Sequence, residues 1–214
     1  MEDSRRIKRL NNKGFSLVEL LVVIGLMAIL IGGISIGFAV ITNSYAREAA
    51  TYTTDALGLA RTKASSVTAD EWTLTITHEG EDDGYTIAVN KVTYKRNSAG
   101  AIVKDAAGKT MKSVECIESY RADSDLLILY RDGEGNDSSV DTIQIVGANS
   151  PLTIRYNVGQ GSVNNVFVSK TEYPLGYVFG KTLSDVGSII IRSGDFSRTI
   201  ELYHATGKYD IIDD

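Results

Sequence analysis

The sequence predicts an α+β protein in which one long N-terminal helix precedes an antiparallel β domain. No charged residue occurs from Leu20 to Ile41, and an Ala-rich stretch without proline continues to Ala64. From Trp72 onward, β-branched and aromatic residues alternate with polar ones between clusters of Gly, Asn and Asp, which is the pattern of strands and tight turns. With 43% hydrophobic and 23% charged residues among 214, the composition is that of a folded protein and excludes a disordered or collagen-like chain.

Basic charge is concentrated in the first 14 residues, which we expect to be a separate leader. They hold five basic and two acidic side chains, so the other 200 residues carry a net charge of −8 within a total of −5. A protein that grips nucleic-acid phosphates usually has a broad basic surface. Nucleic acid is therefore an unlikely general partner.

The uncharged run over residues 20–41 predicts one membrane span. Its 22 residues would reach about 33 Å as a helix, close to the thickness of a bilayer's hydrocarbon core. The basic leader places the N-terminus on the cytoplasmic side and the rest of the chain outside. A cleaved secretory signal usually has a shorter apolar region, and a helix that is apolar all round suits a membrane better than the core of a small domain.

The same helix is predicted to continue as an amphipathic segment, giving one helix over residues 15–66. Tyr45, Ala49, Tyr52, Ala56 and Ala60 are spaced three or four residues apart, which places them on one face. The charged residues of this stretch lie off that face. We expect the face to pack against the β domain.

Residues 67–214 predict a β domain built from hairpins outside the cytoplasm. Turn signals at 79–84, 97–100, 105–109, 132–137 and 205–208 are too close together for helical crossovers, so neighbouring strands are expected to be antiparallel. The predicted strands are 72–77, 85–94, 102–104, 114–119, 126–130, 142–146, 152–156, 166–169, 188–192, 199–203 and 209–212.

A carboxylate stands one turn inside the apolar helix. The chain reads Lys13-Gly14-Phe15-Ser16-Leu17-Val18-Glu19-Leu20, and a charge in a membrane segment is costly unless it has a function and a partner. A new amine at Phe15, created by cleavage after Gly14, would lie on the face that carries Glu19, because the two residues are four apart.

This arrangement resembles the class III signal of type IV pilins and of the pseudopilins of type II secretion. The resemblance implies a pilin-like fold, cleavage after Gly14 by a prepilin peptidase and N-methylation of Phe15. It implies that Glu19 neutralises the N-terminal amine of a neighbouring subunit during assembly. The implied partners are other pilin or pseudopilin subunits, a membrane assembly platform and the lipid bilayer, with the protein first in the cytoplasmic membrane and then in a surface or periplasmic filament.

The C-terminal stretch is similar to the last hairpin of the pseudopilin H and FimT branch, which suggests a minor subunit. It ends in a strand, a Thr206-Gly207-Lys208 turn and a short final strand. The two-cysteine C-terminal loop of many Gram-negative major pilins is absent, because the chain has one cysteine. Gram-positive competence or pilus systems fit the sequence too.

The sequence offers no catalytic, metal or cofactor site. Cys116 is predicted to be a buried apolar residue, and it forms no ligand spacing with His78 or His204. The acidic stretch 132–137 hints at calcium but lacks the glycine of a calcium loop, so a solvated turn is expected. A GxSxG match at 33–37 lies within the apolar run, and two P-loop-like matches at 176–182 and 103–110 have the wrong spacing or lack the first glycine.

Two other classes of function remain open. One is a pilus-associated binding module for adhesion or DNA uptake, for which Lys91, Lys95 and Arg96 are the nearest basic cluster. The other is a simple membrane-anchored β domain without a filament.

Overall fold

A computed structural model describes residues 16–66, 70–80, 83–108, 110–133, 143–147, 149–168 and 185–213, with side chains described except at 32–42, 143–144 and 213. The chain divides into two compact units, Met1–Ile41 and Thr42–Asp214. The predicted leader at 1–14 and Phe15 lie outside the described residues.

The predicted long helix is present as α1, Leu17–Ser65, with 49 residues. It has no proline, and alanine and leucine, the strongest helix formers, recur along it. In the part of the chain that the structure describes, no helix combines the length and the apolarity needed to cross a membrane. The span over 20–41 therefore stays a prediction.

In the second unit, α1 packs a face of small residues against the β domain, as predicted. Ala49, Ala56 and Ala60 are almost fully buried, while Tyr45 and Tyr52 lie at the edge of the core. Because alanine side chains are short, the helix backbone can approach the strands closely. Arg47, Glu48 and other charged residues point away from the core.

Among the described residues the β domain has ten strands, and every pairing between them is antiparallel. Ten of the eleven predicted strands are confirmed. The prediction at 102–104 is wrong, because this stretch lies between two turns and forms only the isolated bridges Arg96↔Ile102 and Lys104↔Thr110. The strands are β1 (Glu71–Gly80), β2 (Gly84–Tyr94), β3 (Lys112–Ala122), β4 (Leu127–Asp132), β5 (Ile143–Ile145), β6 (Leu152–Tyr156), β7 (Val163–Val168), β8 (Val186–Ser193), β9 (Phe196–Tyr203) and β10 (Lys208–Asp213).

The described strands form two five-stranded sheets. The first has the order β3-β2-β1-β6-β7, and the second has the order β10-β9-β8-β4-β5. The local hairpins follow from the turn residues, whereas the long-range pairings β1–β6 and β4–β8 join strands distant in sequence.

The core lies between the inner faces of the sheets and α1. Its fully buried side chains include Leu74, Ile76, Ile87, Ile128, Leu152, Ile154, Ile189, Ile191 and Ile200. The hydroxyl of Tyr85 on β2 accepts a hydrogen bond from the amide of Ile128 on β4 and donates one to the carbonyl of Val146, each at 3.3 Å. This buried side chain therefore ties the first sheet to the second.

The prediction of a buried Cys116 is wrong. The residue is exposed with a free thiol on β3, where it pairs with Asn90 of β2. Because β3 is the edge strand of the first sheet, it has a neighbour on one side only, and most of its residues are exposed.

Candidate functional site

Ser16 caps the N-terminus of α1. Its side-chain oxygen accepts a hydrogen bond from the backbone amide of Glu19 at 3.1 Å, and its carbonyl accepts one from the amide of Leu20 at the same distance. Ser16 and Glu19 have the spacing of a capping box. The helix therefore begins at Leu17, three residues after Gly14.

Glu19 lies in the first turn of α1 with an exposed side chain. Its carboxylate is near the positive end of the helix dipole, which favours a negative charge. None of the described residues forms an ion pair with it. Gly14 and Phe15 lie outside the described residues, so the predicted pairing of Glu19 with an amine at Phe15 stays a prediction.

The first part of α1 exposes apolar side chains around its whole circumference. Every residue from 17 to 31 is exposed, and the large apolar ones expose between 45% and 78% of their surface. Contiguous apolar surface of this extent marks an interaction with a membrane or with other protein chains. The side chains concerned are Leu17, Val18, Leu20, Leu21, Val22, Val23, Ile24, Leu26, Met27, Ile29, Leu30 and Ile31.

The start of the chain matches a family pattern that is described as the prokaryotic N-terminal methylation motif, over residues 9–35. It is the type IV pilin and pseudopilin signal. The signal includes Gly14, Phe15 and Glu19 and ends within α1, so the β domain lies outside the match. No curated protein and no solved structure matches the chain.

The pilin signal at residues 9–35 has several implications for the protein. It supports a pilin-like or pseudopilin-like secreted subunit and indicates a structural role instead of an enzymatic one. It implies processing by a prepilin peptidase and assembly with other pilin subunits. It suggests a protein that is first anchored in a membrane and then located in a surface or periplasmic filament.

The β domain contains a buried ion pair on the outer face of the first sheet. Nε of Arg155 on β6 lies 3.2 Å from Oε1 of Glu71 on β1, and their side chains are 7% and 11% exposed. The hydroxyl of Tyr94 donates to the other carboxylate oxygen of Glu71 at 2.6 Å. The guanidinium also lies 5.2 Å from the centre of the Phe167 ring, so the cation has both a carboxylate and an aromatic face as neighbours.

A shallow groove of about 310 Å³ lies beside this pair. It is lined by threonine hydroxyls, apolar side chains, Asn90, Lys112 and Arg155. Asn90 is already engaged, because its side-chain amide donates to the hydroxyl of Thr75 at 2.9 Å. The groove lining includes no histidine or carboxylate, and its charged side chains are Lys112 and Arg155.

Each of the two histidines contacts a tyrosine of the β domain. Nε2 of His204 lies 3.2 Å from the buried hydroxyl of Tyr130, and burial raises the pKa of Tyr130 well above its ordinary value. The ring of His78 packs edge-on against the ring of Tyr85, with 4.7 Å between the ring centres. Within the described ranges, no group of three His, Cys, Asp or Glu side chains could hold a metal ion; most of the acidic stretch 132–137 lies outside them.

The predicted basic cluster is divided by the structure. Nζ of Lys91 pairs with Asp70 at 3.2 Å, whereas Lys95 and Arg96 are exposed beyond the end of β2.

The sequence predicted the pilin signal, but the Ser16 cap was missed, although the Ser-x-x-Glu spacing could have revealed it. It also missed the Glu71–Arg155 pair, because the residues are far apart in sequence and only the β1–β6 pairing brings them together.

Proposed function

We propose that the protein is a prepilin that is held in the cytoplasmic membrane by residues 20–41, cleaved after Gly14, methylated on Phe15 and assembled into a filament through α1. The pilin signal at residues 9–35 carries this proposal. The exposed apolar side chains of α1 support it, because they need cover that water cannot provide. The bilayer provides that cover before assembly, and the helices of neighbouring subunits provide it in the filament.

Glu19 gives the assembly its electrostatic component. When many apolar helices pack together, a carboxylate and a terminal amine are tolerable as a pair, and leaving one of them alone costs several kcal/mol. Glu19 at the head of α1 would therefore pair with the methylated amine of Phe15 on a neighbouring subunit. The pair would fix how far one helix is shifted along the next.

The subunit is proposed to be a minor one of the H-like or FimT-like kind. The C-terminal hairpin supports this assignment, since β9 and β10 pair in register from Tyr203↔Lys208 to Arg198↔Asp213. Their turn contains Gly207 at a φ of 64°, a conformation that favours glycine. The single cysteine is compatible with the same assignment.

Replacing Gly14 with Leu tests the proposal. We expect Gly14→Leu to leave the full-length chain in the membrane fraction, because the peptidase no longer cleaves. Gly25→Ala is the matched control, since a Cβ at Gly25 meets nothing within 4 Å, and it should be processed normally. Immunoblots of membrane and sheared-filament fractions give the readout, and a Gly14→Leu protein that is shortened and incorporated would contradict the proposal.

A further inference from the structure

The groove beside the Glu71–Arg155 pair lies on the face of the first sheet that points away from the core. We call it the outer groove and define it by Thr73, Asn90, Lys112, Thr153, Arg155 and Phe167. The fully buried core residues Leu74 and Ile154 alternate with groove residues along β1 and β6, and alternate residues of a strand point to opposite faces. Its volume of about 310 Å³ is at the lower end of the range for small-molecule sites.

A row of polar side chains crosses the sheet at the outer groove. Thr73 on β1 pairs with Asn90 on β2 and with Arg155 on β6, and Arg155 pairs with Asn165 on β7. Residues that pair directly across antiparallel strands lie on the same face. A hydroxyl, two amides and a guanidinium are therefore arranged side by side on four neighbouring strands, which are about 5 Å apart.

Asn165 is the member of this row that lacks partners. It is 1% exposed, and within the described part of the chain neither its amide nitrogen nor its amide oxygen has a hydrogen-bond partner. Buried side-chain amides are nearly always hydrogen-bonded. A hydroxyl group suits such an amide, because it can both donate to the oxygen and accept from the nitrogen.

The outer groove combines positive charge with apolar surface. Lys112 and Arg155 are the charged side chains that line it, and none of the described lining residues is a carboxylate. Glu71 holds Nε of Arg155 at 3.2 Å from beside the groove, which fixes the guanidinium in place. The ring of Phe167, which pairs with Thr153 across β6 and β7, adds an apolar surface next to a hydroxyl.

We propose that the outer groove binds an acidic saccharide, that is, a short oligosaccharide that carries carboxylates. A sugar ring has apolar C–H faces and a rim of hydroxyls, which match the Phe167 side chain and the hydroxyls and amides of the polar row. The carboxylates of the saccharide interact with Lys112 and Arg155 through charge-assisted hydrogen bonds. The inference does not depend on the proposed function, because the β domain alone forms the groove.

An acidic peptide fits this surface less well than a saccharide. Extended peptides that bind to a sheet usually add a strand at its edge, where backbone groups are unpaired. The polar row instead crosses β2, β1 and β6, and each of these strands already has a neighbour on both sides. The groove therefore offers side chains and no free strand edge.

Titration of the full chain in detergent with defined saccharides tests the inference. The probes are the trimer of galacturonic acid and a hyaluronan tetrasaccharide, and the neutral control is the galactose trimer with the linkage of the first probe. We expect at least one acidic probe to bind, more tightly than the neutral trimer and more weakly as salt is raised. Binding of neither acidic probe, or equal binding of the neutral trimer, overturns the inference.

Matched variants locate the binding site. We expect Lys112→Met and Thr153→Val each to weaken binding of the acidic probe by about tenfold, the effect of losing one hydrogen bond to a charged group. The controls are Lys95→Met and Thr93→Val, because Lys95 and Thr93 are exposed and do not line the groove. Unfolding midpoints of the four variants check that each is folded.

The remaining outcomes are decisive as well. Equal affinities for the groove variants and their controls would place the binding elsewhere and overturn the inference. So would binding of a triglutamate peptide in place of both acidic saccharides, because the groove would then be a peptide site. Processing and filament incorporation are measured separately, so failure of the proposed function is distinguishable from failure of this inference.

Discussion

The ring of Tyr52 on α1 stacks on the ring of Tyr120 on β3, with 4.9 Å between the ring centres and 10° between their planes. The hydroxyl of Tyr120 donates to a carboxylate oxygen of Glu118 at 2.5 Å, and this hydrogen bond is the main reason that the pKa of Tyr120 is raised to about 12. The hydroxyl of Tyr52 bonds to Glu48 in the same way, which raises its pKa too. Each ring is therefore fixed by a carboxylate from its own element, and the stack fastens the helix to an edge strand.

Removing either ring should weaken the attachment of α1 to β3. We expect Tyr52→Ala and Tyr120→Ala each to lower the free energy of unfolding of the full chain in detergent. The double variant should lose less than the two single losses together, because the rings contact each other. Fluorescence of Trp72, the only tryptophan, reports unfolding of the β domain, and strictly additive losses would contradict a direct contact.

Arg155→Met should destabilise the β domain by about 3–5 kcal/mol, because it leaves the Glu71 carboxylate buried without its cation. Adding Glu71→Gln should recover part of this loss, since no buried charge then remains. The matched control is Lys91→Met, which removes an ion pair to Asp70 whose side chains are 33% and 22% exposed and should cost at most about 1 kcal/mol. Equal losses for Arg155→Met and Lys91→Met in denaturant unfolding would show that burial does not matter here.

Gly207→Ala, in the turn between β9 and β10, should lower the melting temperature of the β domain more than Gly194→Ala, in the turn between β8 and β9. Both glycines have positive φ values, 64° and 57°, so alanine strains both turns. A Cβ at Gly207 would also lie 1.9 Å from the carbonyl oxygen of Gly161, whereas a Cβ at Gly194 meets nothing within 4 Å. Thermal unfolding of the two variants gives the comparison, and equal melting temperatures would refute the close packing at Gly207.

Glu19→Ala should block incorporation into filaments while leaving membrane insertion and cleavage intact. The reason is that the methylated amine of a neighbour would enter the helix bundle without a counter-charge. Asp195→Ala removes an exposed carboxylate in a turn of the β domain and should have no effect. The readout is the ratio of protein in sheared filaments to protein in the membrane. A normal ratio for Glu19→Ala would show that Glu19 does not pair with the neighbouring amine.

Local patterns in the sequence were sufficient for the helix and most strands. The apolar run and the alanine stripe predicted α1, and alternation with glycine turns predicted ten strands. The predicted strand at 102–104 was wrong because two nearby turns leave no room for one. The predicted burial of Cys116 was wrong because burial depends on where a strand lies in its sheet. The position of β3 at the edge follows from pairings between distant segments.

The part of the candidate site that is formed by residues close together in sequence was predictable. The order of Gly14, Phe15 and Glu19 is visible in the chain itself, and the match over residues 9–35 agrees with it. The pocket that Glu48 and Asp123 line was not predictable, because these two residues come together only when α1 packs beside the end of β3. Electrostatic surfaces of this kind depend on tertiary packing, so they appear only with the structure.

The most direct test is the intact mass and N-terminal peptide of the protein from its own cells, recovered separately from membranes and from sheared filaments. We expect a chain that begins at N-methylated Phe15 in the filament fraction. A chain that begins at Met1 in cells with an active prepilin peptidase would contradict it, and the protein would then be a β domain on a simple membrane anchor.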